Sequence, residues 1–382
     1  MNNTQTIVIH PYIKRSRGSK EILLEEAIKL VQAINLNCID SSLVGIDSIN
    51  PKTYLKSGYV VFLKQKVIAL NAELIFLNTN LSPIQQRNLE KATNCKIIDR
   101  TGLIIEIFGS RAKSNEGKLS VLLASLKFQK SRLVRSWTHL ERQRGGAGFM
   151  GGPGEKQIES DRRQLTERIN RLKIKINKID KIRNIQRYRR IKNKIPIISL
   201  VGYTNSGKST LFNLITKSKV LSKNMLFASL DSTIRNGYIN GFNLNFIDTV
   251  GFIRDLPTTL IDSFKSTLNE IINSDLILHV RDISDSEYLD QKNEVLRILE
   301  EIGVQKDDER IIEVINKTDL VKNKIVFKNI EDAIIHINEN WHQIDKWWLS
   351  NGVQNTIYKF KKNFCNLQDD PINKWTKFLT NI

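Results

Sequence analysis

The sequence predicts an α/β fold in three parts: a small α/β domain, a long antiparallel helical hairpin, and a P-loop domain with a mainly parallel sheet. Three observations predict it. Residues 195–210 read IPIISLVGYTNSGKST, an apolar β-branched run, a glycine-bounded loop and then a helical pattern, the order strand, phosphate loop, helix. Two later apolar runs, 242–247 and 311–315, each end in a short polar motif, as parallel strands do where they deliver side chains to one edge of a sheet. Upstream, two long helix-period segments flank a glycine-rich break, which predicts the hairpin.

Residues 1–112 form the first domain. Strands are expected at 6–9 and 73–77 and an amphipathic helix at 21–34. A helix start falls at Ser82: Ser82 caps, Pro83 takes the first position where no N–H is needed, and Gln85 bonds back to the cap. This domain offers no nucleophile, metal cluster or carboxylate pair, so it reads as a structural or docking module. Cys38, Cys95 and Cys365 match no zinc or redox spacing and are expected as reduced thiols in a cytoplasmic protein. The start MNNTQTIVIH lacks the pattern of a signal peptide, and no apolar run approaches the length of a membrane span.

The arm spans 113–194. Its first helix, 116–142, places Leu119, Leu122, Leu126, Leu133, Trp137 and Leu140 on one side; its second, 157–194, carries a seam of Ile158, Leu165, Ile169, Leu172, Ile176 and Ile179 at three- and four-residue steps. Between them lies the tip, 145–155, GGAGFMGGPGE, whose six glycines and one proline exclude a helix or central strand. Phe149 and Met150 at its middle favour contact with a partner over a plain hinge.

The formal net charge is +19, with an isoelectric point near 9.7. Residues 156–194 hold fifteen Lys and Arg against four acids, a surplus of eleven and more than half of the net charge. A lysine-rich coding bias spreads charge evenly, and a solvated helix face mixes both signs. The clustering therefore points to a polyanionic partner, the backbone of a nucleic acid.

The nucleotide domain spans 195–340, followed by a tail of unknown role at 341–382. Glycines let backbone N–H groups of the loop turn onto phosphate oxygens, Lys208 reaches the β- and γ-phosphates, and the Ser209 hydroxyl is offered to Mg²⁺. Asp248-Thr249-Val250-Gly251 supplies a carboxylate for a Mg²⁺-bound water and a Gly251 N–H for the γ-phosphate. Asn316-Lys317-Thr318-Asp319 selects the base: Asp319 accepts the N1–H and N2–H₂ of guanine, which adenine does not offer, and the Lys317 stem lies along the ring. A carboxylate left unpaired supports discrimination on the order of 10⁴. Between the first two motifs, Ser229 and Thr233 are both candidates to complete the Mg²⁺ shell, and spacing does not choose. Phe252 stands where a water-orienting glutamine is expected, so hydrolysis must rely on another group.

These motifs, with LSPIQQRNLEKA, IIDRTGLIIEIF, EGKLSVLLASL, SWTHLERQRGGAGFMGGPGEKQIESDRR, FASLDSTIR and DTVGFIRDLPTTLIDSFKSTL, resemble the HflX family of translation-related P-loop GTPases over most of 81–319. The resemblance implies a monomeric, Mg²⁺-dependent GTPase that docks on the large ribosomal subunit and its rRNA and splits or rescues stalled ribosomes. It places the tip and arm near the peptidyl-transferase region. It favours Ser229 as Mg²⁺ ligand beside Ser209 and Asp248, and makes Asn205 a candidate ligand for K⁺, a charge worth about 10³ to 10⁵ in rate when it replaces an arginine finger. Lys208, Asn205 and Gly251 are then the catalytic set. The nucleotide-binding set is Gly202, Tyr203, Thr204, Asn205, Ser206, Gly207, Lys208, Ser209 and Thr210; Phe227, Ala228, Ser229, Leu230 and Asp231; Asp248, Thr249, Val250 and Gly251; and Asn316, Lys317, Thr318 and Asp319. Lys156 and Ser229 each replace a threonine usual in the family, and Asn338 is the nearest candidate for the last guanine motif. The tail tryptophans Trp341, Trp347, Trp348 and Trp375 fall in a stretch that resembles no known motif. A rival reading is a nucleotide-gated RNA-binding or ribosome-binding protein with little or no hydrolysis, motivated by Phe252. A third is an RNA-modification GTPase, for which no modification chemistry is visible.

Overall fold

The computed structural model describes residues 4–14, 20–141, 153–192, 195–217, 227, 233–239 and 242–321. The chain divides into two compact units, Met1–Leu320 and Val321–Ile382, and the first holds both sheets and the arm. The tip at 145–152, Asn338 and the 341–382 tail lie outside the described residues.

The chain enters through β1 (Gln5–Ile13), α1 (Lys20–Gln32), β2 (Asn37–Ile46), α2 (Ser57–Ala69), β3 (Leu74–Leu77), α3 (Pro83–Thr93), β4 (Lys96–Asp99) and α4 (Arg100–Arg111). The four strands form an all-parallel sheet in the order β2-β1-β3-β4. Central strands of such sheets are covered on both faces and read as continuous apolar runs. Accordingly β3, LIFL, is buried throughout, and β1 is buried from Thr6 to Pro11. The expected helix start is present: the Ser82 hydroxyl accepts from the Gln85 N–H at 3.2 Å, and the Gln85 side chain accepts from the Ser82 N–H at 2.9 Å, with Pro83 at the first position.

Two long helices come next, α5 (Asn115–Glu141) and α6 (Pro153–Lys192). Leu123 and Leu126 of α5 pack with Ile169, Leu172 and Ile176 of α6, and Leu119 and Leu165 flank them. Glu116 near the start of α5 pairs with Arg183 near the end of α6 at 2.7 Å, so the helices run antiparallel. Two expectations are corrected. Leu122 is 47% exposed and Leu123 takes its place inside, because α5 also buries Val121 and Ala124 against the main core; its buried arc is broader than a coiled-coil seam. The helix after the tip begins at Pro153, inside the stretch expected to be non-helical; proline at a first helical position loses no hydrogen bond.

The nucleotide domain contains β5 (Ile197–Val201), α7 (Lys208–Thr216), β6 (Thr233–Ile239), β7 (Phe242–Asp248), α8 (Thr258–Ser263), α9 (Lys265–Ile272), β8 (Leu276–Asp282), α10 (Tyr288–Ile302) and β9 (Ile311–Asn316). Its sheet has the order β6-β7-β5-β8-β9, with only β6 antiparallel. One hydrophobic core joins this domain to the first: Val8, Phe76 and Phe108 belong to the same cluster as Phe227, Phe252, Ile261 and Phe264.

Candidate nucleotide site

The central strand β5 ends with Leu200 and Val201 fully buried, and its continuation is the phosphate loop. Gly207 has φ +95°, and a Cβ there would lie 2.1 Å from the Asn316 Nδ2, so a side chain at this position would be strained and would push Asn316 aside. That closeness has a purpose: Asn316 Nδ2 donates to the Ser206 carbonyl at 2.9 Å, fastening the end of β9 to the loop. Thr249 Oγ1 likewise donates to the Leu200 carbonyl at 2.6 Å and fastens the end of β7. Three motifs distant in sequence thus converge on the carboxyl edge of one sheet, where open α/β sheets bind ligands.

Lys208 is buried and donates from Nζ to the Tyr203 carbonyl at 2.7 Å. Desolvation lowers its pKa to about 8 against the pull of Asp248. Ser209 Oγ donates to Asp248 Oδ2 at 2.7 Å, which brings together a hydroxyl and a carboxylate, the hard oxygen donors that Mg²⁺ takes. Thr204 Oγ1 and Ser206 Oγ are buried with no hydrogen-bond partner among the described residues. Buried polar atoms are normally satisfied, so orphaned hydroxyls at the rim of a glycine-turned loop with a buried lysine fit a phosphate chain and its Mg²⁺. Asn205 stands exposed at the mouth of the loop with φ +62°, a conformation asparagine tolerates.

Gly251 packs on the loop. A Cβ there would lie 2.9 Å from Thr204 Cγ2, 3.0 Å from Thr204 Cα and 3.1 Å from Lys208 Nζ. The next residue zips onto the loop backbone: the Phe252 N–H donates to the Gly202 carbonyl at 3.1 Å, and the Thr204 N–H to the Phe252 carbonyl at 2.7 Å. The Phe252 side chain is only 1% exposed and lies in the core, turned away from water. It therefore has a packing role.

On the base side, Asp319 is exposed at the 3₁₀ turn Thr318–Leu320, open to a ligand. Lys317, at φ +56°, sends its Nζ to Asp282 Oδ2 at 2.6 Å; the Ser284 N–H and hydroxyl occupy the other oxygen of Asp282 at 3.0 and 2.5 Å. The lysine stem is thus drawn from the end of β9 toward the end of β8. Asp282 and Ser284 were missed in the sequence; the available signal was an aspartate ending the strand beside the Asn316-Lys317 strand. Of the other expected residues, Phe227 is buried, while Ala228, Ser229, Leu230 and Asp231 fall outside the described residues. Thr233 opens β6 opposite Asp248.

Comparison with known proteins agrees with this layout. Residues 21–109 match the family model described as GTP-binding GTPase N-terminal, 111–190 the GTP-binding GTPase Middle Region, and 197–317 the 50S ribosome-binding GTPase; residues 318–379 match the LIC12162 family transferase. The chain is 46% identical to GTPase HflX of Magnetococcus marinus over 312 residues, covering 81% of this chain and 72% of that protein. It is 40% identical to GTPase HflX of Escherichia coli over 348 residues, covering 91% and 78%. A GTP-binding protein from Sulfolobus solfataricus, solved with GDP, aligns at 25% identity and a TM-score of 0.45, covering 88% and 89%. With a phosphate loop, a hydroxyl–carboxylate pair and an exposed aspartate after the last strand on one sheet edge, and relatives of this identity over most of its length, the chain belongs to the HflX family of GTPases.

Proposed function

We propose that this GTPase docks on the large ribosomal subunit through its arm and splits or rescues stalled ribosomes, with the nucleotide setting when it holds on. The observation that carries the reading is the outer face of α6. Arg162, Arg163, Arg168, Arg171, Lys173, Lys175, Lys178 and Lys181 are all exposed, on a helix whose opposite side is buried against α5. Among them Arg171 has an acid at 3.6 Å, Glu167. Such a predominantly basic face, with Glu159 and Glu167 as its exposed acids, suits a phosphate backbone, and the nucleotide domain matches a model described as a 50S ribosome-binding GTPase.

In the nucleotide site, Lys208 and the loop N–H groups bind the β- and γ-phosphates. Ser209 and Asp248, with Ser229 from the first switch, hold Mg²⁺, which supplies charge neutralisation when bound. The Gly251 N–H reads the γ-phosphate, and Asp319 and Lys317 read guanine. Phe252 is buried and not available to orient water, so in this reading hydrolysis draws on charge at the mouth of the loop, where the exposed Asn205 would help hold K⁺.

Sedimentation of ribosomes after adding the protein with GTP, a non-hydrolysable analogue or GDP tests the reading. Free subunits are expected with the two triphosphates and intact ribosomes with GDP; no change under any nucleotide rejects it. GTP turnover in potassium and in sodium, with and without large subunits, tests the ion: equal rates in both salts remove Asn205 from the catalytic set.

A further inference from the structure

The N-terminal sheet has its own switch point. In the order β2-β1-β3-β4 the chain leaves β1 toward β2 and then crosses to β3 on the other side, so the crevice beyond β1 and β3 is where such a sheet would take a ligand. At that place the nucleotide domain inserts its own backbone. Asn78, just past β3, donates from Nδ2 to His10 Nδ1 at 3.0 Å and accepts Arg100 Nη1 at 2.7 Å. Arg100 Nη2 donates to Glu26 Oε1 at 2.6 Å and to the Arg254 carbonyl at 2.7 Å. The other oxygen of Glu26 accepts the Tyr203 hydroxyl at 2.8 Å, and that hydroxyl accepts the Arg254 N–H at 2.9 Å. Arg100 is 7% and Glu26 15% exposed at the side chain, so these bonds are sheltered from water. Burial, and then the neighbouring Glu26, hold the Tyr203 phenol well above its ordinary pKa, which keeps the hydroxyl a donor to Glu26.

Tyr203 belongs to the phosphate loop and Arg254 comes three residues after Gly251. Both ends of the bridge therefore lie beside the atoms that meet a γ-phosphate. We propose that Glu26, Arg100 and the Tyr203 hydroxyl are positioning residues for the nucleotide site: through them the N-terminal domain holds the segment after Gly251 in the register that presents its N–H to the γ-phosphate. A contact made with the triphosphate and not with the diphosphate converts this register into nucleotide preference. By linkage, the nucleotide then sets how firmly the two domains are joined. Phe108 of α4 meets Phe227 edge-on at 4.7 Å, so that residue too rests on the N-terminal domain.

The inference rests on the reading of Gly251 as the γ-phosphate sensor. The test uses the full chain, with titration of labelled GDP and of a labelled non-hydrolysable GTP analogue in Mg²⁺. Tyr203→Phe removes the hydroxyl without opening a cavity, and Glu26→Gln keeps an acceptor but removes the charge paired with Arg100. Glu26→Gln, outside the phosphate loop, is expected to weaken the GTP analogue about fivefold, the weight of one ordinary hydrogen bond, and to leave GDP within about twofold; Tyr203→Phe is expected to weaken the GTP analogue at least as much. The double variant is expected to lose less than the sum of the two single losses, since Tyr203 and Glu26 share one bond while Glu26 also holds Arg100. Thermal unfolding of each variant reports folding separately. Equal weakening of both nucleotides, no change in either, or tighter binding of the GTP analogue overturns the inference. If the unaltered protein itself holds both nucleotides equally, the Gly251 reading fails instead.

Discussion

Lys208 carries the sharpest residue-level consequence. Its ammonium is desolvated in the free site, with a pKa lowered to about 8, and the phosphates of a bound nucleotide favour the charged form and raise that value. Binding above pH 8 therefore takes up a proton. Affinity for GDP is expected to be flat from pH 6.5 to 7.5 and to fall by up to about tenfold per pH unit beyond 8; a flat profile to pH 9.5 in a fluorescence titration would remove Lys208 as the titrating group. His279 makes the opposite case on the acid side. It is 1% exposed on β8, and burial lowers its pKa to about 4, with Glu313 raising it and Arg281, Lys292 and Lys208 lowering it. The unfolded chain binds this proton below pH 6.5 while the folded chain does so only near 4, so stability falls as pH drops through that window, by about 3 kcal/mol in all. Denaturant melts of His279→Leu against the parent between pH 7 and 4 check it, the variant being expected to lose that share of the slope. Motif residues were legible because the chemistry of a phosphate loop sits within one contiguous run. The Glu26–Tyr203 bond was not, since its partners lie 177 residues apart and neither type announces the other.

At the scale of elements, local chemistry was legible wherever it stayed within one turn or one strand. The capping box at Ser82 and the strands that end at Asp248 and Asn316 emerge from spacing and period alone. The inner face of α5 did not, because it is buried on two sides and period arithmetic assumes one; Leu122 and Leu123 exchange roles for that reason. The same helix is tied down by an ion pair that no pattern discloses. Asp99, 3% exposed at the end of β4, accepts Arg132 of α5 at 2.6 Å, and burial raises its pKa even though Arg132 opposes the shift. Arg132→Ala leaves this buried carboxylate without its cation, held only by the Gly102 and Leu81 N–H groups at 2.9 and 3.3 Å. Since Arg132 is itself 20% exposed, the expected cost is below the usual range for a broken buried pair, about 2 to 3 kcal/mol. Urea unfolding measures it, and Asp99→Asn in the same background is expected to recover part of the loss. An unchanged midpoint in Arg132→Ala would show that solvent satisfies Asp99.

The chain joins two parts of different character: a nucleotide-binding sheet edge that packs on the N-terminal domain while its mouth stays exposed, and a basic helix with solvent-facing charge. Composition alone yields the net charge of +19, but only its concentration on one helix distinguishes a binding surface from compositional bias. The exposed face argues for the former, because Ile169, Leu172 and Ile176 take the buried positions while the arginines and lysines between them face outward. Charge on such a stripe acts by releasing counterions from the partner, so its signature is a salt slope and not only an affinity. Replacing Arg162, Arg163, Arg168 and Arg171 with Ala removes four exposed cations without touching the seam. Large-subunit binding by the quadruple variant is expected to weaken, and the slope of log affinity against log salt to flatten by about 0.7 to 0.9 for each phosphate no longer neutralised. GTP turnover without ribosomes is expected to stay as it is, since none of the four lies in the nucleotide site. A salt slope identical to the parent's, measured by co-sedimentation from about 50 to about 300 mM potassium, would mean that the stripe is a solvated helix face and that another surface meets the ribosome.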